Sequence, residues 1–244
     1  MNGSEILLIA IAAGLGSVIT AIAGLGGGIL LLSVLLQFMD PTVAIPVHAV
    51  IQLASNSSRS VLLRRHIDLS VVWRFCLLLI PAGLVGLLVA DSMPVSLGRV
   101  SIASFALLVV WRPSALGRLS SLLGGGSRSF VSLGAIAGFA NIPFGVTGPA
   151  VAPVFRSFLP TKEAMIATFG ATQTVGHLVK VGIFAGDGFD FPAYIGVMVA
   201  GVVAVTIGTW LGTRVLTSLN EETFAAVFRW TLTIVAVRVV LTAW

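Results

Sequence analysis

The chain has 244 residues, 57% of them hydrophobic and only 9% charged, with a formal net charge of +5 and a mean hydropathy of +1.07. That balance excludes a soluble globular domain and describes an integral membrane protein whose several apolar runs approach the roughly 20 residues needed to cross a bilayer. The basic residues stand singly or in short clusters at the ends of apolar runs, which suits topology control rather than nucleic-acid binding, and the single cysteine, Cys76, offers neither a disulfide framework nor a metal pattern.

The first element raises a question of its own. The stretch "AIAGLGGGILLLSVL", Ala21 to Leu35, places Gly24, Gly26, Gly27 and Gly28 within five positions of an otherwise oily run. Each mid-helix glycine costs about 1 kcal/mol relative to alanine, and non-helical backbone at membrane depth survives only where protein or water covers it. A bend at "GLGGG" with a helix restarting at Ile29 leaves the amides of Gly26, Gly27 and Gly28 at a helix N-terminus, where unpaired N–H groups and the dipole favour an anion. Small residues in membrane helices also serve plain close packing. The broken segment is expected over Glu5 to Met39.

Three continuous spans are expected next, near Pro41 to Leu63, Val71 to Ala90 and Val95 to Trp111. In the first of them His48, Gln52, Ser55, Asn56 and Arg59 recur every three or four residues and share one helix face. Polar groups are costly in hydrocarbon, so the stripe points inward to a pathway. For Arg59, snorkelling to the cytoplasmic end is an equally simple reading. Asp68 reads as the cap of the following span.

A polar, basic, Gly/Ser-rich connector, "RPSALGRLSSLLGGGSRS" from Arg112 to Ser129, then separates two copies of one plan. Gln52 and Gln173 stand 121 residues apart, as do Arg59 and Lys180, while Asp68 and Asp190, and Gly86 and Gly208, stand 122 apart. The second broken segment, Ser129 to Leu159, holds "PFGVTGP". There Pro143 and Pro149 break the helix, Gly145 and Gly148 expose backbone and Thr147 adds a hydroxyl. Asn141, just before this bend, either donates its amide to a ligand or caps the break. Spans follow near Thr161 to Phe184, Phe191 to Leu211 and Glu222 to Ala243, the first carrying Thr172, Gln173, His177 and Lys180. His177, within that stripe, is a candidate proton carrier or a structural histidine. The organisation is thus a first repeat over 1–112, a cytoplasmic linker over 113–128 and a second repeat over 129–244.

Loop charge sets the orientation. Arg64, Arg65 and Arg74 mark one loop as cytoplasmic, but its counterpart, "AGDGFDF", is acidic and belongs outside. The halves are therefore inverted, which three spans allow only if each broken segment returns to the side it entered from. The fold class is an all-α polytopic membrane protein with two inverted repeats, each a glycine-broken re-entrant hairpin plus three transmembrane helices. Eight full crossings with parallel halves are the competing topology, because Glu5 to Ala23 is nearly long enough to cross.

At these residues the chain resembles the TauE/SafE family of sulfite-exporter-like permeases. The resemblance rests on "AGLGGG" (Ala23 to Gly28), on "VHAVIQLASNSSRS" running into "RRHID", and on their second copies "GVTGP" and "ATQTVGHLVK". It covers nearly the whole length. It implies transport of sulfite, thiosulfate or an organosulfonate across a bacterial inner membrane, with the glycine motif landing on Gly24, Gly26, Gly27 and Gly28 and again on Gly145 and Gly148. The second bend departs from the fuller glycine run of the family, so the two half-sites differ in hydrogen-bonding shape.

The expectation is a secondary transporter that binds a small anion near mid-membrane through Gly26, Gly27, Gly28, Gln52, Asn56, Asn141, Gly145, Thr147, Gly148, Gln173 and His177, with His48, Arg59 and Lys180 on the pathway. The coupling ion, proton or sodium, stays open. A passive anion channel is the alternative. No GxxxxGK[ST], HExxH or GxSxG motif occurs, so neither ATP hydrolysis nor an intramembrane enzyme is expected, and no cofactor or metal is implied. A valine at Gly27 or Gly148 is expected to abolish binding in a folded protein.

Overall fold

A computed structural model describes residues 1–23, 26–115, 126–215 and 221–243; Gly24 and Leu25 of the first bend, and 116–125 of the linker, lie outside the described residues. The first copy contributes α1 (Gly3–Ala23), α2 (Gly27–Leu35), α3 (Pro41–Leu62), α4 (Leu69–Cys76), α5 (Leu79–Ser92) and α6 (Val95–Trp111). The second contributes α7 (Ser129–Asn141), α8 (Gly148–Phe158), α9 (Lys162–Gly186), α10 (Ile195–Val215) and α11 (Glu221–Leu241). No strand occurs among the described residues.

Local chemistry sets several of these boundaries. Asp68 caps α4 as expected, its carboxylate accepting from the amides of Ser70 at 2.9 Å and Val71 at 3.2 Å, and Asp190 likewise accepts from the amide of Ala193 at 3.4 Å. Asp40 precedes α3 but turns outward to Arg99 at 2.8 Å, and Arg99 also donates to the carbonyl of Leu36, tying α6 to the turn that follows α2. One expected span is corrected: Val71 to Ala90 is not continuous but divides into α4 and α5, bent by 41°. Pro81, in the first turn of α5, has no N–H for the Leu77 carbonyl and its ring crowds that carbonyl, so the helix breaks there.

The two copies keep register in space. α2 and α8 begin at Gly27 and Gly148, α3 and α9 at Pro41 and Lys162, each pair 121 residues apart. Their contacts are exchanged: α1 runs along α10 of the other copy, α7 lies against α4 and α5 of the first, and the counterparts α3 and α9 pack on one another, as do α6 and α11. Helices of each half thus pack on helices of the other. Small residues bring the exchanged helices to backbone contact. A methyl group on Gly208 would overlap the Gly14 carbonyl, and one on Gly134 or Gly86 would overlap the carbonyls of Phe75 or Phe139. Ser17 of α1 adds a polar tie, 2.6 Å from the hydroxyl of Thr209 on α10 and 3.2 Å from that of Ser55 on α3.

Lipid-facing surface explains which helices look transmembrane. Gly3–Ala21 and Phe191–Gly212 are each long and apolar enough to cross alone, and the bent α4–α5 pair makes a third candidate. Their outer faces carry exposed Leu8, Leu15, Leu84, Leu88, Val203 and Ile207. The longer α3 and α9 are central, wrapped by these elements, and carry the polar stripes instead. This is a helical membrane protein.

Candidate functional site

Two helix starts meet at one place. Gly27, at the start of α2, lies against Gly16 and Thr20 of α1, and the two helices pack on one another. The turn ends on Gly26, whose φ of 107° belongs to the left-handed region that glycine adopts without penalty. No side chain of the turn caps α2; the Thr20 hydroxyl accepts the Gly27 amide at 3.0 Å while donating to the Gly16 carbonyl at 2.9 Å. The next amides of the first turn, those of Gly28 and Ile29, have no carbonyl partner among the described residues. In the other copy Gly145, with φ 73°, turns the chain into α8. There Pro149 has no N–H and Ala150 donates to Thr147 at 2.9 Å, so Gly148 supplies the open amide. The halves do differ in donor number.

Between these starts lies a cavity of about 40 Å³. Of the expected residues, Gly26, Gly28, Gln52, Asn56, Asn141, Gly145, Thr147, Gly148, Gln173 and His177 line it, together with His48 and Arg59. Gly27 and Lys180 do not. A methyl on Gly27 would overlap the Gly16 carbonyl, so this glycine serves the α1–α2 crossing and its amide is already taken; the expectation that Gly27→Val would fold is corrected on that ground. Lys180 stands just behind the second bend, donating to the Gly145 carbonyl at 2.8 Å and to Asn141 Oδ1 at 3.2 Å. Asn141 therefore presents its Nδ2 donor side elsewhere. Thr20, Ile29, Val146, Pro149 and Phe169 also line the cavity, though none of them was expected to bind the anion. Thr20 was within reach of the sequence, since it stands 121 residues before Asn141, the spacing of the two glutamines.

The electrostatics are one-sided. Arg59 is 3% exposed and Lys180 1% exposed, so neither snorkels. Arg59 donates to Ser55 Oγ at 3.2 Å and to Asn56 Oδ1, while Asn56 Nδ2 donates to the Gln52 carbonyl at 2.8 Å. Asn56 thus holds the guanidinium rather than facing a ligand freely. Among the described residues neither cation has a carboxylate within ion-pair distance, and the cavity has no acidic lining residue. Burying an uncompensated charge is expensive, so two such cations beside one polar cavity call for an anion. His48 and His177 meet edge to face with ring centroids 5.7 Å apart, and the Nδ1 atoms of both and the Thr147 hydroxyl are buried without a partner. Unsatisfied polar groups at this density ask for a ligand. No three His, Cys, Asp or Glu side chains gather to hold a metal ion among the described residues.

Two larger hollows flank the cavity. Arg59 also lines one of about 330 Å³ with Leu62, Leu63 and Lys162, toward the end of α3 that leads to Arg64 and Arg65. The other, about 250 Å³, lies at the opposite end of α3 among Thr42, Ile45, Asp91, Ile142 and Asp187. It shares no lining residue with the central cavity, and Lys180 reaches neither.

Fold and cavity together define the class: a helical membrane protein built around a small, buried, acid-free polar site. The family model described as Sulfite exporter TauE/SafE matches residues 8–239, and the chain belongs to that family. No curated protein and no solved structure matches the chain.

Proposed function

We propose that the chain is a secondary transporter that carries a small sulfur-containing anion, sulfite foremost, across the bacterial inner membrane by alternating access. The anion sits between the starts of α2 and α8, on the amides of Gly28 and Gly148 and the side chains of Gln52, Gln173, Asn141, Thr147 and His177. The observation that carries this reading is the pair of buried cations, Arg59 and Lys180, flanking an acid-free cavity at which two helix N-termini converge. Size favours sulfite over bulkier organosulfonates: about 40 Å³ is room for roughly three water-sized centres.

The reading includes the architecture. Two inverted repeats, 1–112 and 129–244, each place a re-entrant hairpin and three spans around a shared site, with the connector cytoplasmic and the protein multi-pass. The exchanged packing of the copies supports a two-fold relation, and the opposite loop charges support inversion over parallel halves. Alternating access is supported by the unequal gates: Arg59 borders both the cavity and the hollow at its own end, whereas its counterpart Lys180 is tied to Gly145 and Asn141 and the hollow at that end stays separate.

Counterflow tests the reading. In proteoliposomes loaded with unlabelled sulfite, labelled sulfite is expected to accumulate transiently, with saturable initial rates. Flux that grows linearly with concentration and is not stimulated by internal sulfite would replace the carrier with a passive channel.

A further inference from the structure

The two histidines that close the cavity bear on the coupling ion. His48 Nε2 lies 2.9 Å from the Gly28 carbonyl oxygen, which can only accept, so Nε2 carries a hydrogen and donates it. In the neutral ring Nδ1 is then a bare acceptor, and no donor reaches it; His177, 5.7 Å away between ring centres, also has a buried Nδ1 without a partner, free either to carry its ring hydrogen or to accept one. Both side chains line the cavity, at 1% and 5% exposure. An oxyanion offers acceptors. Acceptor and acceptor repel unless a hydrogen stands between them, either on nitrogen, as an imidazolium donating to an anion oxygen, or on oxygen, as a protonated anion donating to Nδ1. Both arrangements contain the same extra proton.

The surroundings make that proton depend on the anion, because two positive groups beside the pair oppose an imidazolium until a negative guest enters. The charged groups that act on the pair are Arg59 from α3 and Lys180 from α9. From α1, α2, α7 and α8 the cavity receives no further ionisable side chain, only Thr20, Asn141, Thr147, apolar residues and backbone. Among the described residues no acidic side chain from α4, α5 or α10 reaches it. Among the described residues no carboxylate lines the cavity to offset the repulsion that Arg59 and Lys180 exert on a sodium ion.

Resting on the anion-carrier reading, we infer that each anion is carried together with a proton seated at the His48–His177 pair. Calorimetric titration of the full-length purified protein with thiosulfate, an anion that stays unprotonated near neutral pH, tests this. Run at one pH in bis-Tris and in Tris, cationic buffers whose ionisation heats differ, the titrations are expected to report an uptake of about one proton per bound anion. His48→Gln and His177→Gln, which keep a donor but cannot hold the proton, are expected to bind more weakly and to lower the uptake per bound anion at least twofold. Saturable binding whose heat is independent of buffer overturns the coupled proton while leaving the anion site standing. An undiminished uptake in the double variant moves the proton elsewhere and overturns the assignment. Absence of saturable heat with both thiosulfate and sulfite overturns the anion reading itself, and this inference with it.

Discussion

Gly28→Ala is expected to give a folded protein that binds sulfite roughly 30-fold more weakly, while Gly27→Ala, one position earlier, is expected to give little folded protein. The two glycines face opposite ways. A methyl on Gly28 would meet the Gln52 side-chain amide at 3.5–3.6 Å, ordinary contact distance, and would stand in the cavity over the open amides of α2. Losing a desolvated helix-start contact to an anion removes up to ~2 kcal/mol, and each 1.4 kcal/mol is tenfold in affinity. A methyl on Gly27 instead overlaps the Gly16 carbonyl and the Thr20 hydroxyl. Backbone cannot rotate away, so α1 and α2 must separate at a cost of about 3 kcal/mol or more. Gly148→Ala, whose methyl meets only the Phe169 ring at 3.4 Å, should behave like the Gly28 variant. Melting curves with and without sulfite check both halves: a normal melt with a lost ligand shift for positions 28 and 148, an early melt or no monodisperse protein for 27. Undiminished ligand shifts in both Gly28→Ala and Gly148→Ala would remove the helix starts from the site.

Removing either buried cation should be as damaging. Arg59→Gln and Lys180→Met are each expected to weaken anion binding by roughly tenfold to a hundredfold, since a hydrogen bond or close field from a charged group contributes about 1.5–3 kcal/mol. Arg59 acts directly as a lining residue, and Lys180 acts through the Gly145 turn and Asn141, which it positions. The double variant should lose less than the product of the two, because they share one anion. Arg214, exposed and stacked 3.9 Å over Trp210, is the comparison: replacing it should leave affinity within about twofold. Binding isotherms for the three variants decide the matter, and equal effects at 59, 180 and 214 would mean that the buried charges serve only the fold.

Much of this arrangement is legible in the sequence because duplication leaves a ruler. The offset of 121 residues read from Gln52 and Gln173 recurs in the starts of α2 and α8 and of α3 and α9. Ten of the eleven residues expected to bind substrate line one cavity because helical spacing puts each stripe on one face and the bends on the other side of it. Where the reading failed, the reason is local. Consecutive glycines at Gly26, Gly27 and Gly28 are indistinguishable by type, and only the crossing with α1 separates the packing glycine from those at the cavity. Arg59 read from sequence suits a snorkelling end charge equally well, and its burial depends on α9 lying across α3. The break before Pro81 was visible as a proline in an apolar run, yet membrane helices often keep such prolines without dividing. Phe169 stands 121 residues after His48 and gave no polar signal at all, so the symmetric position carries different chemistry in the two halves.

Selenite, the selenium counterpart of sulfite, offers the most direct measurement, because its anomalous scattering marks the anion in crystals of the protein. A single strong peak is predicted in the central cavity, within hydrogen-bonding distance of the Gly28 and Gly148 amides and facing Arg59. A cavity without a peak at saturating selenite, or a peak held elsewhere while the starts of α2 and α8 stay closed on packed side chains, would contradict the account.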